Sequence, residues 1–246
     1  MTVMYEVRDE VAYVSFNRPE KHNALRDEDI AALVSALQRF DVDDTAQIGI
    51  LFGQGRSFSS GGDVNERLQR SMDEGTTSGR TNEYGAFTSC ENWKPVIAAV
   101  HGYCLGHAFG TALYCDHLVA TQDAQFELTE IRLGLPTASF LPRLGHPAFA
   151  REVAMTGRRF SAKEAWDAGI VTRLVDDGEH VRAAEELARQ VLENPQWAVR
   201  QNVRARRLLM EEQTARHQAL LERFNWATSD EAREAVAKLA ARRRDD

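Results

Sequence analysis

Residues 94–116 read KPVIAAVHGYCLGHAFGTALYCD: an apolar run, two glycines four residues apart, then a second apolar stretch at helical spacing. Val96 to Val100 suits a strand buried on both faces. Gly102 and Gly106 punctuate the run before helix-compatible sequence begins. The same grammar occurs upstream, where residues 48–66 read IGILFGQGRSFSSGGDVNE. A helix start leaves backbone N–H groups without intrahelical partners and carries partial positive charge. Two such starts converging on one carbonyl make an oxyanion hole for an enolate or a tetrahedral intermediate.

Working outward, Met4–Val7 and Val11–Phe16, separated by Arg8, Asp9 and Glu10, read as a hairpin. Ile30, Leu33, Val34, Leu37 and Phe40 follow helical spacing behind Asp27 and Glu28, and Ile48–Phe52 is the strand entering the first glycine turn. Residues 69–85 are polar and rich in Gly, Ser and Thr, the composition of a surface loop or a lid. His117–Thr121 is a further short strand. Ser161 to Glu164 form a capping box for a helix that Gly169 can end, and Ile170–Val175 returns as a strand. Val181, Ala184, Leu187, Ala188 and Val191 share one helical face, broken at Asn194 and Pro195. Helical stretches over Ala198–Met210, Gln213–Trp226 and Asp230–Arg242 complete the chain. The β-α alternation predicts a wound, mostly parallel sheet, with a core over residues 1–193 and a helical region over 194–246.

The 246 residues suffice for one large core with a helical appendage. A formal net charge of −7 argues against a nucleic-acid partner. Cys90, Cys104 and Cys115 form no C-x-x-C pair, so neither a disulfide framework nor a zinc ribbon is expected. There is no signal-peptide pattern, and no apolar run approaches the ~20 residues of a membrane span. The expected setting is the cytosol, without a membrane partner.

Six segments then carry a resemblance. NRPEKHNAL at Asn17–Leu25, GRSFSSGGDVNE at Gly55–Glu66 and KPVIAAVHGYCLG at Lys94–Gly106 are followed by FELTEIRLGL at Phe126–Leu135. LPRL at Leu141–Leu144 and TGRRFSAKEAWDAGIVTRLVD at Thr156–Asp176 complete the set. In this order and spacing the chain resembles the crotonase (enoyl-CoA hydratase/isomerase) superfamily. The resemblance implies an α/β spiral of β-β-α turns with a C-terminal helical trimerisation region, assembled as a homotrimer or dimer of trimers. It also implies an acyl-CoA thioester substrate, with CoA arriving as part of the substrate and no separate cofactor.

By the same resemblance, the N–H groups of Gly62 and His107 hold the thioester oxygen and Glu130 moves the proton. Substrate contacts fall on His22, Ser60, Gly62, Asp63, Val64 and Leu135. Glu130 lies among Phe126, Leu128, Ile131 and Leu133, so partial burial would raise its pKa toward the useful range. Three positions depart from the family pattern. Its second hydratase glutamate falls on Gly110, which leaves one carboxylate and makes shuttling a proton between two carbons easier than adding water. His107 replaces the usual glycine, its ring either turned away or serving as a second acid/base group. The glycine-rich segment before LPRL is shortened to Pro136–Phe140, which alters the wall behind the acyl group.

Other motifs fail. Gly53 and Gly55 are followed by Phe58 where a dinucleotide fingerprint needs glycine. No G-x-S-x-G elbow or Walker sequence is present. Cys104, His107, Cys115 and His117 match no zinc spacing, so no metal is expected. Arg200, Arg204, Arg206 and Arg207 read as a solvated face, an inter-subunit face or a CoA-phosphate clamp. Three functions remain: an enoyl-CoA hydratase or isomerase-like enzyme, a β-diketone C–C hydrolase using His107 and Glu130 without CoA, and a catalytically silent acyl-CoA binder.

Overall fold

The computed structural model describes residues 2–63, 93–135, 137–221 and 229–242, together with Glu66, Asp73 and Phe87. The lid reading of residues 69–85 falls outside the described residues, apart from Asp73, as do Val64 and Trp226.

Strands β1 (Val3–Arg8) and β2 (Val11–Phe16) form the expected hairpin. Its turn residues Asp9 and Glu10 both have positive φ, 48° and 63°, the twist a two-residue hairpin turn requires. Helix α1 (Asp27–Val42) opens with Asp27, Glu28 and Asp29, and the Asp29 carboxylate accepts from the Arg26 backbone N–H (2.9 Å) and guanidinium. Strands β3 (Ile48–Gly53), β4 (Val96–Val100), β6 (His117–Thr121) and β9 (Arg173–Val175) add in parallel. The resulting six-stranded sheet runs β1-β2-β3-β4-β6-β9. A second sheet joins β5 (Tyr103–Leu105), β7 (Gln125–Glu127) and β8 (Phe160–Ser161) in the order β5-β7-β8.

Further helices are α2 (His107–Tyr114), α3 (Pro147–Thr156), α4 (Ala162–Asp167), α5 (His180–Leu192), α6 (Gln196–Leu221) and α7 (Asp230–Arg242). One face of the main sheet packs on α1, α2 and α3 through Leu33, Leu37, Phe109 and Val153. The other packs on α5 through Ala184, Leu187 and Ala188. Burial on both faces explains why β3 and β4 read as continuous apolar runs.

Three expectations are corrected. A short strand, β5, stands between Gly102 and the helix start, because residues 103–105 pair with β7. The strand expected over Ile170–Val175 is limited to β9, since the N–H groups of Ile170 and Val171 turn back to the Ala165 carbonyl. The stretches Ala198–Met210 and Gln213–Trp226 are not separate: α6 runs unbroken through residues 210–213, where no Gly or Pro interrupts it.

Candidate active site

The first glycine turn leaves β3 at Gly53, where a side chain would overlap the carbonyls of Ser57 and Phe58. It then runs beside the second turn as a short ladder. Phe58 N–H donates to His101 O (2.8 Å), Ser59 N–H to Tyr103 O (2.8 Å), and Leu105 N–H to Ser59 O (3.1 Å). Gly61, at φ +88°, ends this approach. A Cβ there would lie 2.5 Å from Leu105 O and 3.7 Å from His107 N. At Gly62 the chain bridges Leu25: Leu25 N–H donates to Gly61 O and Asp63 N–H to Leu25 O, both at 2.8 Å. With its neighbours bonded to Leu25, the Gly62 N–H points to the opposite side of its strand.

The second turn is tighter. A Cβ on Gly102 (φ +53°) would overlap Arg56 O. Gly106 has φ 51° and ψ −124°, a conformation open essentially to glycine alone. Its N–H donates to Glu127 O at 2.7 Å. A Cβ on it would overlap Thr129 Oγ1 and lie 3.3 Å from Glu130 Oε1. His107 follows as the first residue of α2, so its N–H belongs to the helix start. Three segments therefore meet: the first turn through Gly61, the second through Gly106, and the 3-10 helix Thr129–Leu133 through Glu130. His107 and Glu130 are both half-buried, with His107 Nε2 and Glu130 Oε2 shielded from solvent. Two glycine turns brought together beside a carboxylate are the kind of arrangement that proton transfer next to a carbonyl uses.

The other expected site residues lie around this junction. The His22 carbonyl accepts from Ser60 N–H (2.8 Å), and its Nδ1 lies 3.0 Å from Ser57 Oγ. Its ring centroid is 5.7 Å from that of Tyr103. Asp63 Oδ2 is 3.6 Å from Arg18 Nη1, which also reaches buried Asp29 at 3.3 Å. Burial pulls the Asp29 pKa upward, but hydrogen bonds from Arg26 offset this and hold it below the usual carboxylate value. Leu135 N–H donates to Glu130 O (2.9 Å) and closes the 3-10 helix. Gly110 is buried inside α2, and its N–H donates to Gly106 O (2.9 Å). In the shortened segment, buried Thr137 donates its hydroxyl to Ala154 O (2.9 Å).

Two residues escaped the sequence reading. Asn23, buried at φ +52°, ties the first turn together. Its Oδ1 accepts from Arg18 N–H (2.8 Å) and its Nδ2 donates to Gln54 O (2.9 Å) and Ser57 O (2.8 Å). Glu127 is buried beside the second turn. For Glu127 the signal available was a charged residue between Phe126 and Leu128, while Asn23 stood in the mostly polar motif Asn17–Leu25 and carried no such mark. On the basic helix, Arg206 and Arg207 pair with Asp116 at 2.6 and 2.8 Å, Arg200 reaches Gln47, and Arg204 lies over Trp93. Cys104 and Cys115 are buried, and burial pushes both thiol pKa values up. Among the described residues no three His, Cys, Asp or Glu side chains are placed to hold a metal ion. No described helix is long and apolar enough to cross a membrane.

Comparison with known proteins identifies the family. The family model for enoyl-CoA hydratase/isomerase matches residues 6–243. The chain is 34% identical over 198 residues to (E)-benzylidenesuccinyl-CoA hydratase of Thauera aromatica, covering 78% of this chain and 75% of that protein. It is 35% identical over 195 residues to carnitinyl-CoA dehydratase of Salmonella typhi, covering 76% and 72%. Among solved structures, an enoyl-CoA hydratase/isomerase from Pseudoalteromonas atlantica T6c superposes with a TM-score of 0.83. It shares 27% identity and covers 98% of both chains.

Proposed function

The chain belongs to the enoyl-CoA hydratase/isomerase family of acyl-CoA-processing enzymes, and from that membership we propose that it stabilises a thioester enolate where its two glycine turns meet. The thioester oxygen lies between the N–H groups of Gly62 and His107. Glu130 takes a proton from the α-carbon, and the electron pair of the broken C–H bond moves onto the oxygen. In a double-bond shift the same carboxyl returns the proton to the γ-carbon as the charge collapses. Two preorganised donors stabilise the developing oxyanion by several kcal/mol. Isomerisation is favoured over hydration because Gly110 supplies no second carboxylate. His22, Ser60, Gly62, Asp63, Val64 and Leu135 contact the substrate, and CoA arrives attached to the acyl group.

The observation that carries this reading is the double backbone approach: Gly61 against Leu105 and His107, Gly106 against Thr129 and Glu130. It is tested with Glu130→Gln, which keeps the size of the side chain and removes its basicity. Turnover of unsaturated acyl-CoAs falls by about 10²-fold or more with acyl-CoA affinity retained. Near-normal kcat in the folded variant removes Glu130 from the mechanism. Acyl-CoA binding without turnover in the unaltered protein identifies a silent binder instead.

The half-buried His107 ring motivates a second reading, hydrolytic C–C cleavage of a β-diketone by His107 with Glu130. His107→Gly separates the two. Activity on an enoyl-CoA persists if only the N–H is used, and falls by about 10² to 10⁴ if the imidazole transfers protons.

Assembly as a trimer or dimer of trimers is proposed for the same family reason. Leu208 and Leu209 on α6 are exposed, Leu209 at 75%, and suit burial between subunits. A monomeric mass by light scattering at micromolar concentration contradicts it.

A further inference from the structure

We infer that Glu127 is a positioning residue for Glu130, a buried carboxylate that locks the 3-10 helix Thr129–Leu133 against the second sheet. The inference rests on the reading of Glu130 as the acid/base. Glu127 ends β7, and its side chain is 5% exposed. A carboxylate so placed persists only when paired and hydrogen-bonded. Glu127 has two partners from two elements. Arg132 Nη1 donates to Oε1 at 2.6 Å, and Arg159 Nε donates to Oε2 at 3.1 Å. Arg132 lies two residues beyond Glu130 on the same 3-10 helix. Arg159 immediately precedes β8 and its guanidinium lies 5.4 Å from the Tyr103 ring centroid.

That clamp has a clear task. A five-residue 3-10 helix has poor hydrogen-bond geometry of its own and takes its position from what holds it. Backbone bonds flank it: Gly106 N–H to Glu127 O just before its start and Leu135 N–H to Glu130 O at its end. The Glu127 carboxylate adds a charged tie between these two points. On the outer side, a cavity of about 410 Å³ separates Glu127, Thr129 and Arg132 from Glu231, Glu234 and Lys238 of α7. The charged groups about this helix are buried Glu127, half-exposed Arg132 and Arg159, and, across the cavity, Glu231, Glu234 and Lys238 of α7, while His107 follows Gly106 in the second turn. A charge placed beside a carboxyl favours or disfavours its ionised form according to sign.

The test combines rate with pH profile on an acyl-CoA that the protein turns over. Glu127→Gln keeps the shape but removes one negative charge and leaves Arg132 and Arg159 uncompensated. The expected result is a kcat loss of about tenfold with KM within twofold. The acid limb of kcat also moves to lower pH by roughly half a unit, because positive charge beside Glu130 favours its ionised form. Arg132→Gln, at a half-exposed site where folding is preserved, loosens the same clamp. It lowers kcat while moving the acid limb the opposite way, to higher pH. Opposed shifts are not produced by general loosening of the fold. If both variants keep the kcat and acid limb of the unaltered protein, the inference is overturned. A rise in KM with kcat unchanged overturns it too, since Glu127 would then act in binding. Glu130→Gln is measured alongside: full turnover in that variant overturns both this inference and the acid/base reading. An inactive Glu130→Gln with unmoved Glu127 and Arg132 variants overturns this inference alone.

Discussion

Both glycine turns rely on close backbone approach, at Gly53 and Gly61 in the first and at Gly102 and Gly106 in the second, but the first adds a network of side-chain hydrogen bonds. The first is knitted by side chains. Asn23 bonds Gln54 and Ser57, Ser59 Oγ donates to Asn23 O at 2.7 Å, and His22 lies against Ser57. The second is held by backbone fitted against its neighbours, with Gly102 on Arg56 O and Gly106 on Thr129 Oγ1. The first turn therefore also loses stability by losing a hydrogen-bonding group. A turn built by close approach loses it by gaining a single methyl. The second turn is also the one that touches Glu130, so its tolerance for change is lowest where the chemistry is proposed.

The largest effect is expected from Gly106→Ala. The new Cβ meets Thr129 Oγ1 in a conformation that L side chains rarely adopt. Backbone strain and overpacking together cost about 3 kcal/mol or more. In a chain of this length that lowers Tm by about 10 °C, or abolishes soluble expression. A variant melting within about 2 °C of the unaltered protein would show that the second turn has slack.

Asn23→Ala is expected to be milder. Its loss leaves Arg18 N–H and the carbonyls of Gln54 and Ser57 short of a partner, worth about 2–3 kcal/mol. Asn23→Gly relieves the positive φ and should recover only the conformational part, about 1 kcal/mol. Equal melting temperatures for the two variants would mean that φ contributes nothing and the hydrogen bonds everything. Full recovery by glycine would mean the reverse and break the contrast between the turns.

These positions also show what the sequence made legible. Apolar runs announced β3 and β4, the capping box announced α4, and glycine placement announced both turns. These are local signals, set by each segment's own burial and termini. Long-range pairings were not visible. The Asp116 bonds to Arg206 and Arg207 join residues about ninety apart in sequence, so the arginines looked like a free basic face. Strand β5 exists only because β7 and Ser59 lie beside it, and its three residues carry no periodicity of their own. Glu130 was found through its motif. Glu127, three residues earlier, was passed over because nothing in the sequence reveals that Arg159 will reach it.

The smallest effect concerns the loop between the turns' strands. His101 follows β4, hydrogen-bonds Gly55 O at 2.9 Å through Nε2, and stacks on His180 at 4.2 Å between centroids. Burial and the His101 charge push the His180 pKa down to about 4, while Asp123 acts in the opposite direction. The folded state therefore favours the neutral ring. Its contribution is fully present above the unfolded value of about 6.5 and is lost as pH falls from there toward 4. Because the ring is only half-buried, solvent screening reduces the effect to about 1 kcal/mol. Urea midpoints at pH 7 and pH 5 check it. His180→Gln should lose less stability than the unaltered protein on acidification, and an identical loss would rule out the pair as the cause.

The central claim is that the turn junction makes an enolate with Glu130 as the base, and proton exchange reads this without requiring the true acyl group. A saturated or unsaturated acyl-CoA that binds the protein is incubated in deuterated water, and deuterium at the carbon beside the thioester is followed by mass spectrometry. The account predicts wash-in with the unaltered protein and a rate lower by about 10²-fold or more with Glu130→Gln at equal ligand occupancy. Wash-in at the same rate in both proteins would contradict it.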